Sequence, residues 1–232
     1  MAKSSHSLAA QVYARLRQEI MGGTFAPAEP LRLAQLKDRY GVGFSPLREA
    51  LTRLTAEGLV AAEPMRGFCV APLSLEDLRD TMDTRIFVET AALKRSILHG
   101  DDAWEARIVA TLHAFKLQLA RRDESDPESR ETLENRHRDF HFALVSASGS
   151  ARMQAIIENL YLGSARYRVL RPGDRSAYLA RNLEEEHTAI AEASLARDTD
   201  QACALLAEHY RRTAESLELA HRRQLGAATA AQ

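Results

Sequence analysis

The sequence predicts a mainly α-helical protein with two domains. Between residues 40 and 70, a short cationic helix with marked ends is followed by two brief apolar runs around a turn. From residue 74 onward, apolar residues recur at helical spacing and no strand pattern appears. The 232 residues are enough for two domains. These patterns predict a winged helix-turn-helix over 1–73, an all-α bundle of about six helices over 74–225, and a frayed tail over 226–232.

Residues that favour helix ends mark the limits of the helices in the N-terminal domain. Apolar periodicity predicts its first two helices, over 8–21 and 33–40. Gly41 should end the second, because glycine readily adopts the left-handed conformation of a helix end. Ser45 should cap the third helix, with Pro46 at its first position, where a missing N–H has no cost. The buried stripe of this third helix consists of Leu47, Ala50, Leu51 and Leu54.

The segment after the third helix predicts a two-stranded wing. An apolar run over 59–62 leads into a turn over 64–67, and the chain returns over 68–70. Helix-turn-helix shapes also occur in folds that bind no DNA, but the agreement between helices and wing favours DNA binding. Side chains facing away from the buried stripe could meet phosphates and base edges. The residues expected to bind DNA are Arg32, Ser45, Arg48, Thr52, Arg66 and Gly67.

The distribution of charge agrees with this assignment. The whole chain has a net charge of −1, but residues 1–73 carry nine basic and six acidic residues, a net +3. This excess is modest, so we expect a homodimer that places two such domains on adjacent half-sites of double-stranded operator DNA. No run approaches the ~20 apolar residues that cross a bilayer. We therefore expect a cytoplasmic protein with no membrane partner.

Four histidines of the second domain have a spacing that suits a metal ion. His137 and His141 share one helix face at i and i+4. His187 and His209 lie eleven residues on either side of a break at Asp198, so a helix hairpin would bring them to the same height. Imidazole binds zinc, nickel, copper or iron. The alternative is that they are ordinary surface histidines, which we expect for His6, His99, His113 and His221.

A second metal hypothesis comes from two Glu-x-x-His patterns. Glu134 precedes His137 and Glu184 precedes His187 by three residues, as in helical bundles that hold two iron ions. Such an oxidase site also needs a glutamate from each of two further helices. Glu184 belongs to an acidic run that is simplest to interpret as a solvated face. The pattern therefore favours a single-metal site, and we expect no enzymatic activity.

The chain resembles GntR-family transcriptional regulators of the FadR subgroup, whose helical C-terminal domain is called FCD. The likeness covers essentially the whole chain. Matching N-terminal stretches are 36–42, 46–51 with Leu54, 57–60, and Gly67 with Val70. Matching C-terminal residues are Arg85 with Glu89, His137, Phe140 with His141, His187 and His209. The resemblance implies a repressor whose helical domain binds metal and a small-molecule effector.

Two departures from the family pattern affect the predicted chemistry. Gly43-Phe44-Ser45-Pro46 stands where many relatives have Ser-Arg-Thr-Pro, so a common base-contacting arginine is absent and operator preference should differ. His137 stands in place of the usual aspartate at the first metal position. An all-imidazole site should favour zinc, with nickel or copper as alternatives, over manganese.

The resemblance extends to repressors of glutarate, lysine and aminobutyrate catabolism. It implies a small carboxylate effector, and a dicarboxylate such as glutarate is one candidate. Arg85 is the first choice for the arginine that pairs with it. Arg166 and Arg168 are second choices, of which one must face away from the bundle, and both could instead pair with surface carboxylates. The alternative function is a regulator for which the metal ion itself is the effector.

Overall fold

The computed structural model describes residues 7–63, 66–169 and 181–230. Within these ranges the chain forms nine helices and one two-stranded sheet. The helices are α1 (Leu8–Met21), α2 (Leu33–Tyr40), α3 (Phe44–Ala56), α4 (Leu75–His99), α5 (Asp102–Ala120), α6 (Pro127–Val145), α7 (Ala151–Val169), α8 (Leu183–Leu195) and α9 (Thr199–Ala230). The strands are β1 (Val60–Glu63) and β2 (Gly67–Val70). The predicted fold class is confirmed.

The described chain falls into two compact units. The chain divides between Leu78 and Arg79 and again between Tyr161 and Leu162, so the last turns of α7 belong to the first unit. The sequence predicted a single boundary after residue 73, and it gave no sign that the end of α7 would belong to the first unit. No described helix is long and apolar enough to cross a membrane.

The first unit is a winged helical domain. α1 packs against α3, and β1 pairs antiparallel with β2 from Val60 opposite Val70 to Glu63 opposite Gly67. One cluster of buried apolar side chains forms the core and includes all four residues of the predicted stripe on α3. Gly41 ends α2 with φ +66°, as predicted. Pro64 and Met65, in the predicted wing turn, lie outside the described residues.

The start of α3 differs from the prediction. The helix begins at Phe44, and Gly43 is its N-cap with extended backbone angles and no side-chain hydrogen bond. Ser45 is therefore the second helical residue, and its predicted capping role is wrong. Pro46 is the third residue and is tolerated, because the first four N–H groups of a helix have no acceptor within it. The exposed hydroxyl of Ser45 is not used to cap the helix.

The second unit is a helical bundle whose helix starts were largely predictable. α5 packs against α6 and α8, and α8 packs against α9. Asp101 precedes α5, where the sequence predicts a helix cap, and its side chain accepts a hydrogen bond from Trp104 N at 2.9 Å. Gly100 is required just before it, because a Cβ there would lie 2.3 Å from the Trp104 ring.

Two helix bounds in the second unit differ from the prediction. Apolar periodicity predicts that α8 starts at Ser176, but the helix begins at Leu183, where the Asn182 side chain accepts from Glu185 N at 3.1 Å and caps it. The Pro172-Gly173 pair, which predicts a helix break, and residues 176–180 lie outside the described ranges. α9 continues to Ala230, so the predicted frayed tail is helical up to that residue. Its alanines have the highest helix propensity of any residue.

Candidate functional site

Four buried histidines meet inside the second unit. His137 and His141 come from α6, His187 from α8 and His209 from α9. Their ligating nitrogens all lie within 4.8 Å of one another, and the rings of His187 and His209 are 4.6 Å apart between centroids. The structure thus brings together the whole predicted set. His99 and His113 are exposed, as expected, whereas His6 and the side chain of His221 fall outside the description.

The turn between α8 and α9 places His187 and His209 at the same level along the two helix axes. Arg197 takes a left-handed conformation with φ +59°, and Asp198 Oδ1 accepts from Gln201 N at 3.1 Å. The chain therefore reverses tightly at Asp198. Because the two arms are equally long, His187 and His209 lie opposite each other, as the spacing predicted.

The imidazole of His187 has a buried ring nitrogen that suits a metal ligand. Its Nδ1 donates to the Leu183 carbonyl at 2.6 Å, which leaves a lone pair on Nε2. Nε2 is fully buried and has no hydrogen-bond partner among the described residues. Burial beside Phe115 and Phe140 lowers the pKa of His187 to about 4, so the ring is neutral at pH 7. A buried orphan nitrogen is costly, and a metal ion would satisfy it.

The imidazole of His209 is oriented by a carboxylate. Its Nδ1 lies 2.9 Å from Glu186 Oε2, so Nδ1–H is the donor and Nε2 carries the lone pair. Arg181 holds Glu186 in an ion pair and donates from Nη1 to Thr213 Oγ1 at 2.9 Å. A carboxylate behind a metal-binding histidine is the usual partner that fixes its tautomer.

The imidazole of His141 is oriented through a tyrosine. Tyr210 Oη accepts from Arg85 Nη2 at 3.0 Å and donates its one proton to Glu89 Oε2 at 2.5 Å. His141 Nδ1 lies 3.1 Å from Tyr210 Oη and must donate to it, because the hydroxyl proton is already given to Glu89. His141 Nε2 therefore carries the lone pair. Arg85 Nε also donates to Glu89 Oε1 at 2.7 Å. All the side chains in this series of hydrogen bonds are buried.

The four-histidine cluster fits a divalent transition metal. His137 Nε2 lies 3.1 Å from His141 Nε2, close enough for one ion to take the lone pairs of both nitrogens. The three neighbouring hydrogen bonds turn the other nitrogens of His141, His187 and His209 away from the cluster. An all-nitrogen donor set of this kind suits zinc, nickel or copper better than manganese or magnesium.

The di-iron hypothesis has no support in the described structure. Glu134 accepts a hydrogen bond from Tyr161 at 2.5 Å. Glu184 is half exposed and forms an ion pair with Lys116 at 2.9 Å. The candidate metal group found among the described residues therefore contains no carboxylate.

The three predicted effector arginines have different surroundings. Arg85 lies behind His141, to which Tyr210 connects it. Arg168 is buried in the first unit. Arg166, also in the first unit, donates to the backbone carbonyls of Gly58 and Ala71 at 2.5 and 2.7 Å, and to that of Pro72.

These hydrogen bonds give Arg166 a structural role beside the predicted effector role. Its guanidinium donates to buried backbone carbonyls, which are acceptors that the sequence did not predict. Burial lowers the pKa of Arg166. The neighbouring Tyr167 hydroxyl lies 2.8 Å from the Ser74 carbonyl and 2.7 Å from Asp77 Oδ2, and burial raises its pKa to about 12.

The six predicted DNA-binding residues are all exposed in the first unit. They are Arg32, Ser45, Arg48, Thr52, Arg66 and Gly67. Arg48 and Thr52 share one face of α3, where Thr52 Oγ1 donates to the Arg48 carbonyl at 2.8 Å. Because this hydroxyl donates to its own helix, it offers DNA only an acceptor, which can meet a donor on a base edge but not a phosphate.

Comparison with known proteins accounts for both units. Residues 8–70 match the family described as bacterial regulatory proteins, gntR family, and residues 80–212 match the FCD domain. The chain is 42% identical over 204 residues to the regulator BphR of Paraburkholderia xenovorans, covering 88% of this chain and 82% of that protein. The chain belongs to the GntR family of transcriptional regulators. This GntR-family regulator is accordingly a DNA-binding protein and not an enzyme.

Further relatives agree with this assignment. The transcriptional repressor GlaR of Escherichia coli is 36% identical over 200 residues, covering 85% of this chain and 90% of its own length. Among solved structures, E. coli McbR/YncC has a TM-score of 0.73 at 20% identity, over 93% of this chain and 99% of that one. A GntR-type regulator from Rhodococcus sp. RHA1 has a TM-score of 0.72 at 23% identity, over 91% and 98%. At these identities the structures show a shared fold.

Sequence spacing does not reveal the residues that orient the histidines. Glu186 belongs to the run interpreted as a solvated face, yet it is largely buried against His209. Tyr210 directly follows His209, but its hydroxyl lies 3.1 Å from Nδ1 of His141. Successive helical residues point about 100° apart, so adjacency to a ligand in sequence does not predict which ligand is contacted.

Proposed function

We propose that this GntR-family regulator is a homodimeric, cytoplasmic repressor of the FadR subgroup that binds an inverted-repeat operator. A small carboxylate, bound at a metal centre in the FCD domain, would change its operator affinity. The observation that carries this proposal is the buried histidine cluster, in which three rings are held with a lone pair toward a common point. A hydrogen-bonded shell of this kind is typical of a built metal site.

The proposed metal ligands are His137, His141, His187 and His209, with zinc as the first candidate and nickel or copper as alternatives. A bound ion would offer an oxygen ligand position to a carboxylate. Arg85 is the arginine proposed to pair with the second oxygen, because Tyr210 connects it to His141. Arg85 already pairs with Glu89, so an effector carboxylate would compete with that residue.

A second candidate function has a specific observation in its favour. Four imidazoles would supply all four ligands of a zinc ion, and a closed set of this type would leave no position for an effector oxygen. In that case the ion itself would be the effector. The protein would then be a metal-responsive repressor.

One experiment separates the two candidates. Thermal unfolding and operator gel shifts are measured on zinc-loaded and chelated protein, each with and without glutarate and shorter or monocarboxylic analogues. If the proposal is correct, a carboxylate raises the melting temperature and changes operator affinity only in the loaded protein. If zinc alone changes operator affinity and no carboxylate adds to it, the metal-responsive function is correct. No response to either would overturn both.

The dimer is proposed to form through the exposed face of α4. Phe87 and Leu98 are 78% and 75% exposed and lie three turns apart on one side of this helix. Exposed apolar side chains this large are typical of a surface that a second subunit covers. The weak positive charge of residues 1–73 also requires two DNA-binding domains for useful affinity.

A further inference from the structure

Phe44 occupies an unusual position for a large apolar side chain. It is the first residue of α3, and its ring is 50% exposed. Leu8, on α1, is the other exposed large apolar side chain among the described residues of the first unit. Phe44 precedes Leu47 and Leu51 at helical spacing, so it lies beside the buried stripe, yet half of it remains exposed. This exposed half is available to a partner outside the domain.

The surroundings of Phe44 resemble a surface for nucleic acid. Phe44, Arg48 and Thr52 are all exposed and recur every four residues, so they form one line along α3. Lys37 Nζ lies 5.4 Å from the centroid of the Phe44 ring. The ring thus has a cation beside it and a hydrogen-bonding arginine one turn further along the helix. A phosphate could pair with the lysine while the ring meets a base.

We propose that Phe44 contacts the 5-methyl group of a thymine in each operator half-site and determines specificity at that base pair. A phenyl ring has no donor or acceptor, and the thymine methyl is the one apolar group that bases present in the major groove. Any other base edge would lose its water to the ring without gaining a hydrogen bond. The position is suitable, because the N-terminal residues of a recognition helix contact base edges.

This inference rests on the proposed binding of DNA through α3, and its test uses the full-length protein. A duplex is first selected from a random library by the wild-type chain. Each thymine of one half-site is then replaced in turn by deoxyuridine, which removes only the methyl group. We expect one replacement to weaken wild-type binding about fourfold, the factor that burial of one methyl group corresponds to. Replacement in both half-sites should weaken it about fifteenfold.

Three variants make the test specific. Phe44→Ala should bind the selected duplex more weakly and should no longer distinguish thymine from deoxyuridine at that position. Arg48→Ala, on the same line of α3, should lose affinity but keep the sensitivity to the methyl group. Leu8→Ala removes the other exposed apolar side chain and should behave like the wild type. Circular dichroism and thermal unfolding establish that each variant is folded.

The outcomes distinguish this inference from the function on which it rests. If the wild-type chain selects a duplex but no thymine is sensitive, or if Phe44→Ala is as sensitive as the wild type, Phe44 does not read a methyl group. If the wild-type chain selects no duplex at all, the proposed DNA-binding function itself fails. Phe44→Arg provides a positive arm, because it should shift the selected base toward guanine.

Discussion

At the scale of single residues, Arg166 illustrates why a charged residue in a helix has more than one interpretation. Its position near the end of α7 is compatible with a carboxylate partner, as the sequence suggested. The structure instead gives it three backbone carbonyls, contributed by Gly58, Ala71 and Pro72. Backbone acceptors have no signature in the sequence, so the choice between effector and carbonyls depends on tertiary structure.

Replacing Arg166 should destabilise the first unit. Arg166→Met keeps much of the side-chain volume but leaves buried carbonyls without donors, and we expect a loss of about 2 to 4 kcal/mol in the free energy of unfolding. Urea denaturation followed by circular dichroism measures this. Arg211→Met, at an exposed position, should change stability by less than about 0.5 kcal/mol and serves as the control. Equal stabilities of the two variants would show that the carbonyl contacts contribute little.

At the scale of helices, the ends that neighbouring residues determine were mostly predictable from the sequence, whereas contacts between distant side chains were not. The start of α5 and the end of α2 followed from Asp101 and Gly41, because caps act on neighbouring backbone groups. The convergence of His187 and His209 followed from their equal distances to one turn. The start of α3 was misplaced, because a glycine N-cap without a side-chain hydrogen bond competes with an equally plausible serine.

The hydrogen bonds behind the histidines should control metal affinity. Tyr210→Phe removes the acceptor of His141 Nδ1, and we expect it to weaken zinc binding about 10- to 100-fold, as loss of such an outer partner typically does. Competition with a chromogenic chelator measures the change. Tyr167→Phe is a matched control, since it removes a buried hydroxyl that contacts Ser74 and Asp77 instead. Unchanged zinc affinity in Tyr210→Phe would argue against the proposed tautomer of His141.

At the scale of the whole molecule, the function proposed here requires two copies of the chain. Composition already indicated this, because the N-terminal domain carries a net charge of only +3. The composition did not indicate which surface would pair. Phe87 and Leu98 were not identifiable beforehand, because exposed and buried apolar residues of one helix look alike in sequence.

The α4 face is testable through the oligomeric state. Phe87→Asp should place charges in the proposed interface and give a monomer by sedimentation velocity at micromolar concentration. Operator affinity should fall with it, because a single domain occupies one half-site. Val109→Asp introduces the same change at an exposed position of α5 and should leave the dimer intact. A Phe87→Asp protein that sediments as a dimer would exclude this face.

The hairpin of α8 and α9 also has a consequence for how such sequences can diverge. His187 and His209 meet because their arms are equally long on either side of Asp198. Inserting one residue in either arm would rotate the histidine beyond it by about 100° and shift it along the helix axis. Substitutions along the arms leave this geometry intact, whereas a one-residue insertion or deletion does not. The number of residues in each arm is therefore more strictly constrained than the identity of those residues.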